Sequence, residues 1–292
     1  MKAQYDNDIM SSFYLWFDHT LLDKGEAFTN FSSYFYPVSN LYQGYNTYGS
    51  PFRQFVSDES IPNATIMSGV WMDDQMAGQF QFRSRGTAEF TGINYALGQT
   101  YFTDSKAENI KVSGNYAVKD VNIYMTNEVE EKLLFETQFT ISNRTEQSPT
   151  GLPPSSKTYP SVFLKNMGST NVPFAFGGED MTSSDVRAIV MADSQFKLDA
   201  IASIFRDKAR TNVSIIPQAQ QPYNVLGDFK DQADPYNYND LIGAGGFEQV
   251  YIKEVTVSKI GGISYSQLSN LNPNVFSALI DFELEQPRNP RL

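Results

Sequence analysis

The chain has 292 residues, 33 acidic against 22 basic side chains, and a net charge of -11. It holds no cysteine and one histidine, His19, beside 22 Phe and 17 Tyr. This composition excludes disulfides, cysteine-type zinc sites and thiol catalysis, and it works against gripping duplex DNA, which needs Lys and Arg to displace phosphate counterions.

An apolar fraction of 41% with 19% charged residues belongs to a folded chain. The length allows two domains or one large all-β domain with long loops. Residues 1–10 carry Asp6 and Asp8 and lack the apolar run of a signal peptide. No later run approaches the roughly 20 apolar residues of a membrane span, so a soluble protein made in a cytoplasm is expected.

Between residues 7 and 24, Ile9, Met10, Phe13, Phe17, Leu21 and Leu22 recur at spacings near three and four, which predicts a helix capped at Gly25. A strand through 13–17 competes, because aromatics favour pleated surfaces. Residues 26–65 then read as a long irregular stretch rich in Tyr, Asn, Ser and Gly. A structureless segment of this length is either a docking loop or a loop folded on its own core.

Strands are predicted at 66–72, 79–83, 88–95, 99–102, 111–118, 121–126 and 132–141, several with period-two alternation such as Phe80 and Phe82. Many short strands at this spacing indicate an antiparallel β-sandwich or barrel-like module. The Ser, Thr and Pro stretch at 146–160 is the expected linker, separating an N-terminal β-rich domain over 1–145 from a C-terminal β domain over 161–292.

Beyond the linker, strands are expected at 161–165 and 187–192. Asp193 then caps the clearest amphipathic helix, 193–210, with Phe196, Leu198, Ile201, Ile204 and Phe205 on its apolar side. Residues 216–246 form a second irregular stretch. Strands are expected at 247–259, with a phase change at Glu254 that signals a bulge, and at 276–284.

Candidate chemistry is sparse. A triad at His19 needs a nucleophile, a base and an orienter converging in space, which its neighbour Asp18 does not supply; the alternative is a hydrogen-bonded structural histidine. The acid pairs Asp73-Asp74 and Glu179-Asp180, and the series Asp228, Asp231, Asp234, read as turn chemistry. The glycines at 243–246 lack the Lys-Ser/Thr ending of a phosphate loop. No catalytic, cofactor-binding or metal-binding residue is assigned.

The runs Gly69-Val70-Trp71-Met72-Asp73-Asp74, Gly92-Ile93-Asn94-Tyr95, Gly98-Gln99-Thr100-Tyr101-Phe102 and Val112-Ser113-Gly114-Asn115-Tyr116-Ala117-Val118-Lys119-Asp120 resemble a β-module of tailed-bacteriophage structural proteins, especially those of marine myoviruses. Leu152-Pro153-Pro154, Pro173-Phe174-Ala175-Phe176-Gly177-Gly178 and the 193–210 helix extend the resemblance more loosely. It implies a virion component of the neck or head-to-tail connector that acts by assembling, with no catalytic residue carried over.

The expected function is therefore a non-enzymatic homo-oligomeric ring in a virion, contacting other virion proteins. It would be made in the host cytoplasm, without cofactor, membrane or specific nucleic-acid binding, and with an acidic surface compatible with a DNA-facing lumen. Aromatics on alternating strands are assigned to the core. The interface is assigned to Tyr34, Tyr36, Tyr42, Tyr45, Tyr48, Phe52, Phe55, Tyr223, Tyr236 and Tyr238. The alternative is a carbohydrate-binding or host-adhesion β-module of tail or baseplate, since exposed Tyr and Trp beside Asn and Asp suit sugars. A third reading, a glycoside hydrolase, requires two carboxyl groups about 5 to 10 Å apart across a cleft.

Overall fold

The computed structural model describes residues 4–42, 45–73, 80–84, 86, 89–103, 110–135, 159–175, 178–217, 219–222, 235–243, 248–260 and 275–289. Helix α1 (Tyr5–Gly25) opens the chain, with Asp6 and Asp8 in its first turn, where the helix dipole favours acids. Its apolar residues are buried around most of its circumference, so it lacks the single stripe of a surface helix. That is why helix and strand competed in the sequence. The left-handed residue that ends it is Glu26, not Gly25 as expected. Gly25 serves close packing instead: a Cβ there would stand 3.1 Å from Ile204 Cδ1.

Seven strands follow: β1 (Phe28–Tyr42), β2 (Tyr45–Gly49), β3 (Gly69–Asp73), β4 (Phe80–Ser84), β5 (Phe90–Asn94), β6 (Gln99–Phe102) and β7 (Val112–Lys119). They form one curled antiparallel sheet in the order β4-β3-β7-β1-β2-β6-β5. Much of the stretch expected to be irregular at 26–65 is thus strand. Along β1, Phe31 and Phe35 pack on the core while Asn30, Ser32, Tyr34 and Tyr36 face out. This period of two was masked by the Asn and Ser on the solvent side.

Inside the curl lie Phe35, Phe55, Val70, Met72, Phe90, Tyr95, Phe102 and Tyr116. Their buried hydroxyls are satisfied: Tyr95 donates to the Met67 carbonyl at 2.7 Å, and the Tyr116 hydroxyl lies 2.7 Å from Ser50 Oγ. The turn into β6 needs glycine. Gly98 has φ +65°, and a Cβ on it would stand 2.1 Å from the Phe52 carbonyl oxygen.

The second sheet contains β8 (Asn122–Met125), β9 (Ser161–Ala175), β10 (Glu179–Ala192), β11 (Asn212–Ser214), β12 (Gln249–Ile260) and β13 (Phe276–Arg288). Their order is β11-β12-β13-β10-β9-β8, antiparallel except for the β8–β9 pair. Among the described residues the remaining helices are α2 (Glu130–Phe135), α3 (Gln195–Arg206) and α4 (Tyr238–Gly243). The strand expected at 132–141 is helix through Phe135, and the rest of it lies outside the described residues. Ser194, rather than Asp193, caps α3, its hydroxyl accepting from the Lys197 amide. The bulge falls between Ile252 and Glu254, as the phase change implied.

This sheet is covered on both faces. One face of its central strands, with Val162, Leu164, Val186, Ala188, Ile280 and Phe282, packs under α1 and α3. On the other, Phe163, Ile189 and Met191 gather with Tyr124 and Leu133 of α2. Burial on both sides explains the unbroken apolar run at 188–192. The expected linker at 146–160 lies outside the described residues apart from Tyr159 and Pro160. Helix α1 and strand β8, which precede it, pack with the second sheet. The protein is mainly β, with two curled antiparallel sheets and few helices, as expected.

Phe205 is fully buried and stacks on Phe17 with ring centroids 3.7 Å apart. Phe205→Ala is expected to cost about 3–5 kcal/mol in chemical denaturation. Phe196→Ala, on the same helix but 83% exposed, is expected to shift the midpoint little.

Candidate functional site

Among the described residues, buried polar chemistry gathers where the two sheets meet. Lys119 ends β7, and its Nζ donates to Asp18 Oδ2 of α1 at 2.7 Å, both side chains being buried. Burial raises the Asp18 carboxyl above its ordinary pKa, against the pull of Lys119. Burial also works against the Lys119 ammonium, but Asp18, Tyr14 and Asp58 outweigh it and its pKa lies above the ordinary value. With Nζ and Oδ2 in contact the pair is ionised, each charge held chiefly by the other. Asp18 Oδ1 accepts no hydrogen bond.

On the next residue of α1, His19 Nδ1 donates to the buried Asp58 Oδ2 at 2.8 Å, and its ring stacks on Tyr238 with centroids 4.4 Å apart. Asp58 Oδ1 accepts from the Ser60 hydroxyl at 2.6 Å, the Ser60 amide at 3.0 Å and the Tyr238 amide at 3.0 Å. Burial would raise the Asp58 carboxyl, but His19, Ser60 and the amides of Tyr238 and Ser60 together hold it below the ordinary range. Ser60 and Asp58 address the same ring nitrogen of His19. A serine relay needs them on opposite nitrogens, so this geometry clamps α1, residues 58–60 and α4 together.

Gln54 extends the junction. Held at φ 53°, it donates through Nε2 to the Ile123 carbonyl and accepts at Oε1 from the Ile123 amide. It thus mimics a strand along the free edge of β8.

The residues assigned to an interface divide. Tyr34 and Tyr36 are 47% and 58% exposed. Tyr45 and Phe52 are half-buried, Phe52 stacking on Phe31. Tyr48, Phe55, Tyr236 and Tyr238 are buried within the chain itself, which corrects the expectation for these four: their rings are consumed by the cores and by the sheet junction. Tyr223 and the side chain of Tyr42 lie outside the described residues. Of the acids, Asp74, Asp228, Asp231 and Asp234 also lie outside them, and Asp180 is buried in the second sheet. Among the described residues no group of acids and His could hold a metal ion, and no helix is long and apolar enough to cross a membrane.

Two exposed features were missed in the sequence. Phe80 and Phe82, assigned to the core by their alternation, point outward with Trp71. Alternation shows that a strand has two faces without saying which is wet; the opposite parity of Val70 and Met72 on β3 would have decided it. The second feature is the distal half of β9. Residues 166–175 are all exposed, among them Met167, Val172 and Phe174, and β8 pairs with β9 only as far as Leu164.

Comparison of the sequence with protein-family models and with curated proteins finds no match.

Lys119→Met strands Asp18 as an unpaired buried charge and is expected to destabilise by about 3–5 kcal/mol, whereas Asp18→Leu with Lys119→Met recovers most of the loss. Guanidinium unfolding of the three proteins measures this. Because the folded Asp58 has a depressed pKa, its contribution is complete above the ordinary value of 3.8 and is lost as the pH falls below it. Asp58→Asn is expected to flatten this acid limb of stability against pH, whatever it does to the stability at neutral pH.

Proposed function

We propose that the chain is a non-enzymatic structural protein of a tailed-bacteriophage virion, assembling with copies of itself into a ring at the neck or tail and contacting other virion proteins. The observation that carries the reading is the exposed distal arm formed by residues 166–175 of β9. Met167, Val172 and Phe174 on this arm are 44%, 58% and 57% exposed, and the segment contains no charged side chain. In a chain of net charge -11, copies repel one another over most of their surface, so an uncharged apolar arm is where contact costs least.

The arm is built to dock by side chains rather than by strand addition. The register shifts between Val186 and Asp185, where β9 passes from Asn166 to Gly168, and Pro173 carries no amide hydrogen. An arm that seats on a different patch of the next copy makes a head-to-tail contact, and such contacts close into rings when the rotation allows. The runs over 69–74, 92–102 and 112–120 that resemble phage structural modules form β3, β5, β6 and β7 of the first sheet, and that resemblance is what directs the reading toward a virion.

Light scattering on the purified chain should give an integer multiple of 32.9 kDa, and Val172→Asp with Phe174→Asp should return it to a single copy. Mass spectrometry of intact virions should find the chain at a fixed copy number. A wild-type chain that stays monomeric at high concentration and is absent from virions contradicts the proposal.

A further inference from the structure

The outer face of the first sheet carries a row of residues standing side by side across four strands. Phe82 pairs with Trp71, Trp71 with Ser113, and Ser113 with Tyr34. Phe82, Trp71 and Tyr34 are exposed, and only the small Ser113 interrupts the aromatics. Neighbouring strands lie about 4.8 Å apart, so Trp71 and Tyr34 rise from backbones about 9.6 Å apart and leave roughly 6 Å between their ring surfaces. That width admits one sugar ring and is too narrow for a helix, which is about 10 Å across.

The wall on the Trp71 side is built rather than incidental. Phe82 backs Trp71 with ring centroids 5.1 Å apart, and Phe82 in turn lies over Gly69, where a Cβ would stand 2.5 Å from its ring. Only glycine permits that approach.

The rim is polar on one side of the row, where Ser32 and Asn115, a cross-strand pair, are exposed. On the other stand Asp73, one of whose carboxylate oxygens, Oδ1, is already shielded, the exposed Lys111, and the exposed rings of Tyr36 and of Phe80, the cross-strand partner of Asp73. An apolar protein segment pressed into the slot would desolvate Ser32 and Asn115 without pairing them. A sugar offers C–H faces to the two rings and hydroxyls to the rim.

We propose that Trp71, Ser113 and Tyr34 form a saccharide-binding slot that clasps one hexopyranose ring between the indole and the phenol over the Ser113 floor. The slot stands apart from the ring-assembly reading, since it lies on the first sheet and the exposed arm belongs to the second.

The test applies the full chain to a glycan array, then titrates the best-retained oligosaccharide while following tryptophan emission. Trp71 is the exposed one of the two tryptophans, the other being the buried Trp16, so ligand contact should shift the emission to shorter wavelength. Trp71→Ala and Tyr34→Ala should each weaken binding by about tenfold. Ser113→Phe, which fills the slot from an outward position, should abolish binding while the unfolding midpoint stays near wild type. Tyr251→Ala, an exposed tyrosine on the other sheet, should change nothing. Retention of no glycan, or retention that survives both Ser113→Phe and Trp71→Ala, overturns the proposal. If the wild type retains none and Trp71→Ala lowers the mass seen by light scattering, the row is a contact between copies and the saccharide slot is wrong.

Discussion

The structure depends on how one buried junction joins two sheets that each have a core of their own. The chain crosses between them twice at the same place, from α1 into β1 and from β7 into β8, and Phe28 at the start of β1 pairs with Lys119 at the end of β7. There the Lys119–Asp18 ion pair is buried against the α1 helix. A charge in that position is tolerated only while its partner stays within contact distance. Any hinge that opened the sheets would expose an uncompensated charge, so the pair acts as a specificity device even where its net stabilisation is small.

Around the pair, the segment from Gln54 to Glu59 bonds to both sides. The Val56 amide donates to Ala117 in the first sheet, while the amides of Tyr236 and Glu59 exchange bonds with the Ser57 and Tyr236 carbonyls beside α4. The single histidine falls in this joint. His19 gives the Asp58 carboxylate a donor from α1, and the Tyr238 amide gives it one from α4. A residue scarce enough to suggest chemistry thus works as a clamp in this arrangement.

Much of the fold could be read from the sequence because its signals are local. Strands β5, β6 and β7 follow from alternation bounded by turns, α3 from its one-sided apolar period, and the β12 bulge from a phase change. Missing from the sequence were properties set by distant partners. Helix α1 followed from its apolar spacing, but its burial on most sides by elements far along the chain is not local, and the added apolar residues kept a strand in competition with it. The faces of β2 and β4 depend on where the sheet curls, so Tyr48 turned inward and Phe80 and Phe82 outward against expectation, and Phe55, outside the strands, turned into the same core. The clamp at Asp58 joins residues 19, 58, 60 and 238, separations no local pattern encodes.

Apart from scattered exposed side chains such as Phe196 and Tyr251, two groups of exposed aromatic and apolar residues stand in different surroundings. The row on the first sheet has hydroxyl and amide groups along one side, and charged and aromatic groups along the other. The distal arm of β9 is uncharged and carries a proline and a register shift. For both to be held in fixed relation, the two sheets must behave as one body, so the junction must make their unfolding cooperative. Differential scanning calorimetry of the intact chain tests it most directly. A single transition, with the calorimetric enthalpy equal to the van't Hoff enthalpy, is what the buried junction predicts; two resolved transitions, one for each sheet, would contradict it.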